Sequence, residues 1–353
     1  MRFIHLADVH LGADPEQEYP WSAKRGQEIW DTFRQVVTEA GRQKIDLLLI
    51  AGDLFHGQPL LCELKEVNYL FSAIPDTQVV MIAGNHDYLR ENSPYQNFSW
   101  NANVHFLKGE TVQRLSFPKL HTYVYGFSYH QRQISEERYE SLRPGGEEGC
   151  HILLAHGGDG QHIPIRYEKL AQAGFSYVAL GHIHQPQILY RISGQAMAYC
   201  GSLEPIERHE EGVHGYIAGT WTKDRLDIRM VPAACRRYVT LECGVDEEMT
   251  QFELEEAVKR LISEKGRENM YRFRLTGTRD REQEWNLERL SSLGQIVDVL
   301  DQTRPAFDLE KLRRRFAGSL IGEYIESFQG KDLSETEEKA LDYGLSALLE
   351  TRE

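Results

Sequence analysis

Five short segments of this 353-residue chain place hard oxygen donors or imidazoles at the end of an apolar run: Asp8-Val9-His10, Gly52-Asp53, Gly84-Asn85-His86-Asp87, His156-Gly157 and Gly181-His182-Ile183-His184. In an extended strand residues i and i+2 share a face, so Asp8 with His10, and His182 with His184, are expected to address one point. Seven of these residues (Asp8, His10, Asp53, Asn85, His156, His182 and His184) suffice to hold two divalent ions. Asp53 is the natural bridge, because its two oxygens can serve both. Nitrogen mixed with oxygen donors suits manganese, iron or zinc better than calcium. Two ions held ~3.5–4 Å apart clamp an in-line displacement at phosphorus and acidify a bridging water, giving a hydroxide nucleophile. His86 is left over, and its position beside a ligand suits a general acid that protonates the leaving alkoxide. Asp87 is expected to orient and charge that imidazole.

Such a set converges only if its strands lie side by side, and the first part of the chain is built for that. Arg2–Ala7, Asp46–Ala51, Gln78–Ala83, His151–Ala155 and Tyr177–Leu180 are apolar runs of the kind buried on both faces. Ala23–Gln43 and Leu61–Ala73 have helical spacing between them. Val104–Leu107, Gln113–Phe117 and Tyr123–Gly126 predict shorter strands of a second layer, and Ala196–Tyr199, Gly215–Gly219 and Arg225–Met230 continue a strand-rich stretch. The fold class expected is a layered α+β or α/β protein, two sheets face to face with helices outside. Beyond Pro232 the pattern changes to strand Tyr238–Cys243, helix Gln251–Lys265, strand Tyr271–Thr276, helix Glu282–Leu293 and strand Ile296–Leu300. Helices Asp308–Phe328 and Glu335–Leu349 follow, the second opened by a capping box of Ser334 and Glu337. The divisions expected are 1–232, an α/β capping domain 233–304, and C-terminal helices 305–353.

The formal net charge is −14, of which residues 233–353 carry −7, so no part of the chain is a basic arm. That balance weakens nucleic-acid binding without excluding it, since two divalent ions would add positive charge where a phosphodiester docks. Five scattered cysteines without a CxxC read as reduced, small buried hydrophobes rather than a disulfide framework. No run is long enough to span a membrane, and Met1-Arg2-Phe3-Ile4 enters a strand without a signal-peptide pattern, so a cytoplasmic protein is expected.

The ordered set resembles the calcineurin-like metallophosphoesterase superfamily, whose pattern DxH…GD…GNH[DE]…H…GHxH is present element by element over roughly the first 220 residues. His5-Leu6-Ala7-Asp8-Val9-His10-Leu11-Gly12 and Ala51-Gly52-Asp53-Leu54-Phe55 are similar to the DNA-repair exonuclease branch, the SbcD-type nucleases and their YhaO-like relatives. The resemblance implies the metallophosphoesterase fold. It assigns one ion to Asp8, His10, Asp53 and His184 and the other to Asp53, Asn85, His156 and His182, with His86 catalytic. Its implied activity is manganese-dependent exonuclease or endonuclease cleavage of DNA in double-strand-break repair. It also implies an SMC-like ATPase partner, whose coiled coil the C-terminal helices would grip, and a homodimer paired through helices near the Asp53 and Asn85 motifs. Leu61, Leu64, Val67 and Leu70 are candidates for that pairing, or for burial in the monomer. Two departures stand out: His56-Gly57 follow Leu54-Phe55 where these nucleases often place Asp, and Cys200-Gly201-Ser202 stands where they often show Pro-Gly-Ser.

The alternative is a small-molecule or nucleotide phosphodiesterase or pyrophosphatase of the same fold. A metal-dead scaffold is disfavoured because no ligand is substituted. Among the remaining histidines, His162 is the best candidate for an extra substrate contact, though a structural role is favoured; His56 reads as structural. Leu312-Arg313-Arg314-Arg315-Phe316 reads as a solvated helix face, and the i+4 series Leu312, Phe316, Leu320, Tyr324 as a stripe packing on the protein's own body or on a partner.

Overall fold

Continuous apolar strands are possible only where both faces are covered, and the arrangement of the strands supplies that cover. In the computed structural model, which describes residues 1–350 apart from 193, 224, 331 and 332, the chain divides into two compact units, Met1–Tyr238 and Val239 onward. The first unit runs β1 (Arg2–Leu6), α1 (Arg25–Arg42), β2 (Leu47–Ala51), α2 (Leu61–Ser72), β3 (Gln78–Ile82), α3 (Pro94–Asn97), β4 (Val104–Phe106), β5 (Gln113–Phe117) and β6 (Thr122–Gly126). It continues with β7 (Cys150–His156), α4 (Tyr167–Ala171), β8 (Tyr177–Gly181), β9 (Gln187–Ile192), β10 (Gln195–Tyr199), β11 (Gly215–Thr222) and β12 (Arg225–Pro232).

Among the described residues these strands form two six-stranded mixed sheets, ordered β12-β11-β1-β2-β3-β4 and β5-β6-β7-β8-β10-β9. The period-2 alternation of β2 sorts its side chains. Leu47, Leu49 and Ala51 face the second sheet, packing with Val124, Ile152, Leu154 and Ala179. Leu48 and Ile50 face the helices, where Ile29, Phe33 and Val37 of α1 and Leu64, Val67 and Phe71 of α2 close over them. The outer face of the second sheet is covered by a tyrosine-rich layer that includes Tyr125, Tyr129, Tyr139 and Tyr199.

The layered two-sheet class is as expected, with corrections of detail. Strand 104–106 belongs to the first sheet, because Val104 pairs in parallel with Val79 of β3, rather than to the second layer. Strand β9 was not expected; it is an edge strand with Ile188 and Ile192 exposed, so no buried run marks it. Leu64 and Val67 are buried in the monomer, and only Leu61 of the four candidates for pairing is strongly exposed. Cys150, Cys200 and Cys243 are buried, but Cys62 and Cys235 are exposed; all five are free thiols.

Strand β13 (Tyr238–Val245) starts at the last residue of the first unit and leads into the second, which holds α5 (Gln251–Lys265), β14 (Met270–Arg279), α6 (Leu287–Ser291), β15 (Ile296–Asp301) and β16 (Arg304–Pro305). Leu254, Val258, Phe273, Leu275 and Ile296 form its core. The helix expected at 282–293 shrinks to α6 because Asn286 caps its start, accepting from the Arg289 amide at 2.9 Å. The helix expected over 308–328 is two helices, α7 (Leu309–Arg315) and α8 (Leu320–Ser327), broken where Gly318 takes φ +70°. The expected stripe is split accordingly: Leu312, Phe316 and Tyr324 pack with Ile321, Ile325 and the last helix α9 (Glu335–Glu350), whereas Leu320 is 67% exposed. Ser334 and Glu337 form the expected capping box. Residues 331, 332 and 351–353 of the expected third segment lie outside the described residues. Among the described residues no helix is long and apolar enough to cross a membrane.

Candidate metal centre

The carboxyl ends of β1, β2 and β3 in one sheet and of β7 and β8 in the other come together at one edge of the sandwich, and the five motifs occupy those ends. Convergence is achieved by a different device from strand alternation. β1 stops at Leu6, and the loop beyond it keeps pairing with the loop after β2: Asp8 N donates to Gly52 O, Val9 N and His10 N to Asp53 O, and Leu11 N to Leu54 O. Asp8, His10, Asp53 and His182 all have positive φ, at 50°, 52°, 49° and 99°. Asp and His tolerate the left-handed region better than most residues, yet each such position costs about 1–3 kcal/mol. Four of them among seven candidate ligands is local strain held by the surrounding sheets.

The side chains fall into two groups around Asp53. In the first, His10 Nε2 and His184 Nε2 stand 3.0 Å apart beside Asp8. In the second, Asn85 Oδ1 lies 2.8 Å from His156 Nε2 and 3.0 Å from His182 Nδ1. Asp53 Oδ2 is 3.3 Å from His156 Nε2. Asp8, His10, Asp53, Asn85 and His156 are buried, and His182 and His184 nearly so.

The donor set fits cations. His156 Nδ1 lies 2.9 Å from the carbonyl of Ala51, which can only accept, so Nδ1 carries the proton and Nε2 turns a lone pair toward the oxygens of Asn85 and Asp53. His182 Nε2 faces a carboxylate oxygen of Asp159 at 2.8 Å, which leaves the Nδ1 lone pair on Asn85 Oδ1. Acceptors converging on acceptors need a metal ion or an added proton between them. Without metal, protons fill the role. Burial would depress His156 and His184, but Asp53 for the one, and Glu210 and Asp8 for the other, outweigh it and hold each at about 9. Burial pushes Asp8 up to about 6 against the pull of His156 and His184, while burial and His156 lower His182 to about 4.

His86 is half-buried at the rim. Its amide donates to Asp53 Oδ1 at 2.8 Å and its Nδ1 lies 3.1 Å from the carbonyl of His56. The expectation for Asp87 is corrected. Its carboxylate accepts from Gly84 N at 2.8 Å, Phe55 N at 3.2 Å and the Tyr95 hydroxyl at 3.3 Å, and so braces the loop instead of meeting the His86 ring.

Three residues of the neighbourhood were not expected. Glu210, fully buried, lies 2.8 Å from His184 Nδ1. Asp159 joins His162 and His182, so His162 meets the site through Asp159. The ring of His56 packs 5.3 Å from those of both His10 and His86. The only sequence signals were the glycines around Asp159 and the position of His56 three residues after Asp53. A cleft of about 240 Å³ beside the candidate ligands is lined by His56, Gln58, His86, Tyr88, Arg90 and Arg132.

Residues 1–186 match the family model for calcineurin-like phosphoesterases. The chain is 30% identical over 237 residues to the uncharacterized metallophosphoesterase YhaO of Bacillus subtilis, covering 61% of this chain and 56% of that protein. It is 31% identical over 259 residues to the DNA double-strand break repair protein Mre11 of Methanocaldococcus jannaschii, covering 68% of each. The chain thus spans between about half and two thirds of the length of these curated relatives. Among solved structures, a dimetal phosphatase from Danio rerio matches with TM-score 0.42 at 14% identity, over 65% of this chain and 95% of that one.

Proposed function

Because the chain belongs to the calcineurin-like phosphoesterase family, we propose that it is a two-metal phosphodiesterase, and specifically a manganese-dependent DNA nuclease acting in double-strand-break repair. The observation that carries the reading is the cleft at the metal centre, where His86 stands beside Arg90 and Arg132 in a protein of net charge −14. Among the described residues Arg132 has no ion-pair partner, so its charge is available to a phosphate.

One ion would be held by Asp8, His10, Asp53 and His184, the other by Asp53, Asn85, His156 and His182. When bound, two such ions supply an activated water and neutralise charge on the phosphodiester. The chain's own residues do the rest. Asp53 spans the two groups, and its Oδ1 fixes the backbone of His86. Since Nδ1–H of His86 donates to the His56 carbonyl, Nε2 is the nitrogen left to give a proton to the leaving alkoxide. Arg90 and Arg132 orient the phosphodiester from the cleft side. DNA as substrate, an SMC-like ATPase with a coiled coil, homodimerisation, a cytoplasmic location and the division of the chain at 232/233 and 304/305 belong to the same proposal.

The test is cleavage of end-labelled linear and hairpin duplexes with manganese, magnesium or zinc, alongside hydrolysis of bis-(p-nitrophenyl) phosphate. Manganese-stimulated cutting of DNA is expected. Hydrolysis of the small diester with no DNA cut under any metal would overturn the substrate and leave the second reading, a small-molecule or nucleotide phosphodiesterase or pyrophosphatase. That reading is favoured by the acidic surface and the modest cleft, and turnover of cyclic nucleotides against duplex DNA separates the two.

A further inference from the structure

Each ligand group ends in a histidine whose far nitrogen is held by a carboxylate outside the ligand set. His184 turns Nε2 toward His10, and its Nδ1 lies 2.8 Å from Glu210 Oε1. His182 turns Nδ1 toward Asn85, and its Nε2 lies 2.8 Å from Asp159 Oδ2. A carboxylate in that position fixes the tautomer and the ring orientation and raises the basicity of the ligating nitrogen.

The two carboxylates are built differently. The Glu210 side chain is 1% exposed, and its oxygens also accept from Ser202 Oγ at 2.6 Å, Ile206 N at 3.3 Å and Glu207 N at 3.1 Å. Ser202 is itself held, by its amide on the His184 carbonyl at 2.9 Å and by its hydroxyl 2.9 Å from Nδ1 of the buried His214. The Asp159 side chain is 45% exposed, and its other partners, Gln161 N, His162 N and His162 Nδ1, belong to its own loop. The two histidines are alike in exposure, at 17% for His184 and 13% for His182, so the contrast lies in what holds them. Formal charge runs the same way. The first group has Asp8 besides the shared Asp53, whereas the second has the neutral amide of Asn85. A less charged, less rigidly backed site binds a divalent ion more weakly.

We propose that Glu210 and Asp159 are the positioning residues of the two groups, and that the ion held through His184 is retained while the ion held through His182 exchanges with solution. The inference rests on the dinuclear reading above.

The test uses the full chain, stripped of metal and titrated with Mn²⁺ alone. Free Mn²⁺ is read by electron paramagnetic resonance, and retained metal by elemental analysis after gel filtration in metal-free buffer. Two ions per chain at saturation, with one retained through the column, is the expected parent behaviour. Asp159→Asn should weaken the exchangeable ion about 10–100-fold and leave the retained ion in place, with Asp159→Glu recovering part of the loss. Glu210→Gln should release the retained ion. Because that change alters a buried network, Ser202→Ala, which loosens Glu210 without removing it, serves as the second variant, and melting of the metal-free forms by circular dichroism reports folding. Loss of the retained ion first in Asp159→Asn, or two ions bound as tightly by every variant as by the parent, overturns the proposal while the dinuclear reading survives. A folded parent that binds no Mn²⁺ brings down both.

Discussion

The backbone amide of His86 donates to Oδ1 of Asp53 at 2.8 Å, so the proposed acid and the proposed bridging carboxylate are one hydrogen bond apart. Burial opposes ionisation of Asp53, but the imidazoles of His156 and His10 beside it hold its carboxyl well below the usual range. The link runs through the main chain of His86, not its ring. Replacing the ring in His86→Ala should therefore leave Mn²⁺ stoichiometry unchanged. Cleavage of DNA, whose leaving group is a basic alkoxide, should fall by about 10²–10⁴, the range for loss of a general acid, and hydrolysis of bis-(p-nitrophenyl) phosphate, whose p-nitrophenolate leaves without a proton, should fall much less. Parallel metal analysis and kinetics check this; loss of metal together with activity would show that the ring holds the site.

Gly84 precedes Asn85, and a Cβ there would strike Asp53 Oδ1 and lie 2.7 Å from Cε1 and Nε2 of His156. Neither neighbour can yield, since both are buried and shared between hydrogen bonds. Gly84→Ala should cost about 1–3 kcal/mol of stability through overpacking and abolish stoichiometric Mn²⁺ binding. Gly57, with open space around its Cβ position, is the matched control, and Gly57→Ala should bind metal as the parent does. Equal metal binding by both variants would mean that the bowl is looser than this geometry.

Asp87 acts through the loop. Asp87→Ala strips the partners from the buried amides of Gly84 and Phe55, and should lower stability by about 1–3 kcal/mol in chemical denaturation. Tyr95→Phe removes one bond to the same carboxylate and should cost about 1 kcal/mol. A stable Asp87→Ala protein that had lost only catalysis would restore the role of partner to His86.

The strands of the first unit were legible because strands covered on both faces read as unbroken apolar runs, and Asp46–Ala51 shows this most plainly. The candidate ligands were legible because their types and order leave few other chemistries. Their geometry was not. Strand alternation predicts one shared point for His182 and His184, but a left-handed turn at His182 sends the two into different groups. Glu210 lies in an acidic stretch, His209-Glu210-Glu211, that reads as solvated surface, and only the fold turns one of its carboxylates inward onto His184. The break between α7 and α8 had a local signal in Ala317-Gly318-Ser319, which the regular spacing of Leu312, Phe316, Leu320 and Tyr324 masked.

His5, outside the candidate ligand set, gives a pH prediction. It is buried with Nδ1 2.8 Å from the Tyr177 hydroxyl, and burial lowers it from 6.5 to about 3. The unfolded chain therefore takes up a proton at His5 below about pH 6.5 that the folded chain refuses until about pH 3. Its contribution is constant above pH 6.5, and stability is lost progressively as the pH falls from there toward 3. In denaturant titrations between pH 7 and 4, His5→Gln should show a shallower decline than the parent. Parallel declines would mean that His5 protonates freely in the fold.

Arg132 separates the two substrate readings by charge. It lines the cleft with His86 and lies outside both ligand groups, so Arg132→Ala should leave metal binding near parental levels. With duplex DNA, where an arginine on a phosphate releases a counterion, KM should rise and the slope of log affinity against log salt should shrink by about 1. The fall should be similar across DNA sequences, because phosphate contacts carry no sequence information. Binding measured at a series of salt concentrations for parent and variant decides the point. An unchanged slope with DNA, together with poorer turnover of a small diester, would place Arg132 on a compact substrate and favour the nucleotide phosphodiesterase.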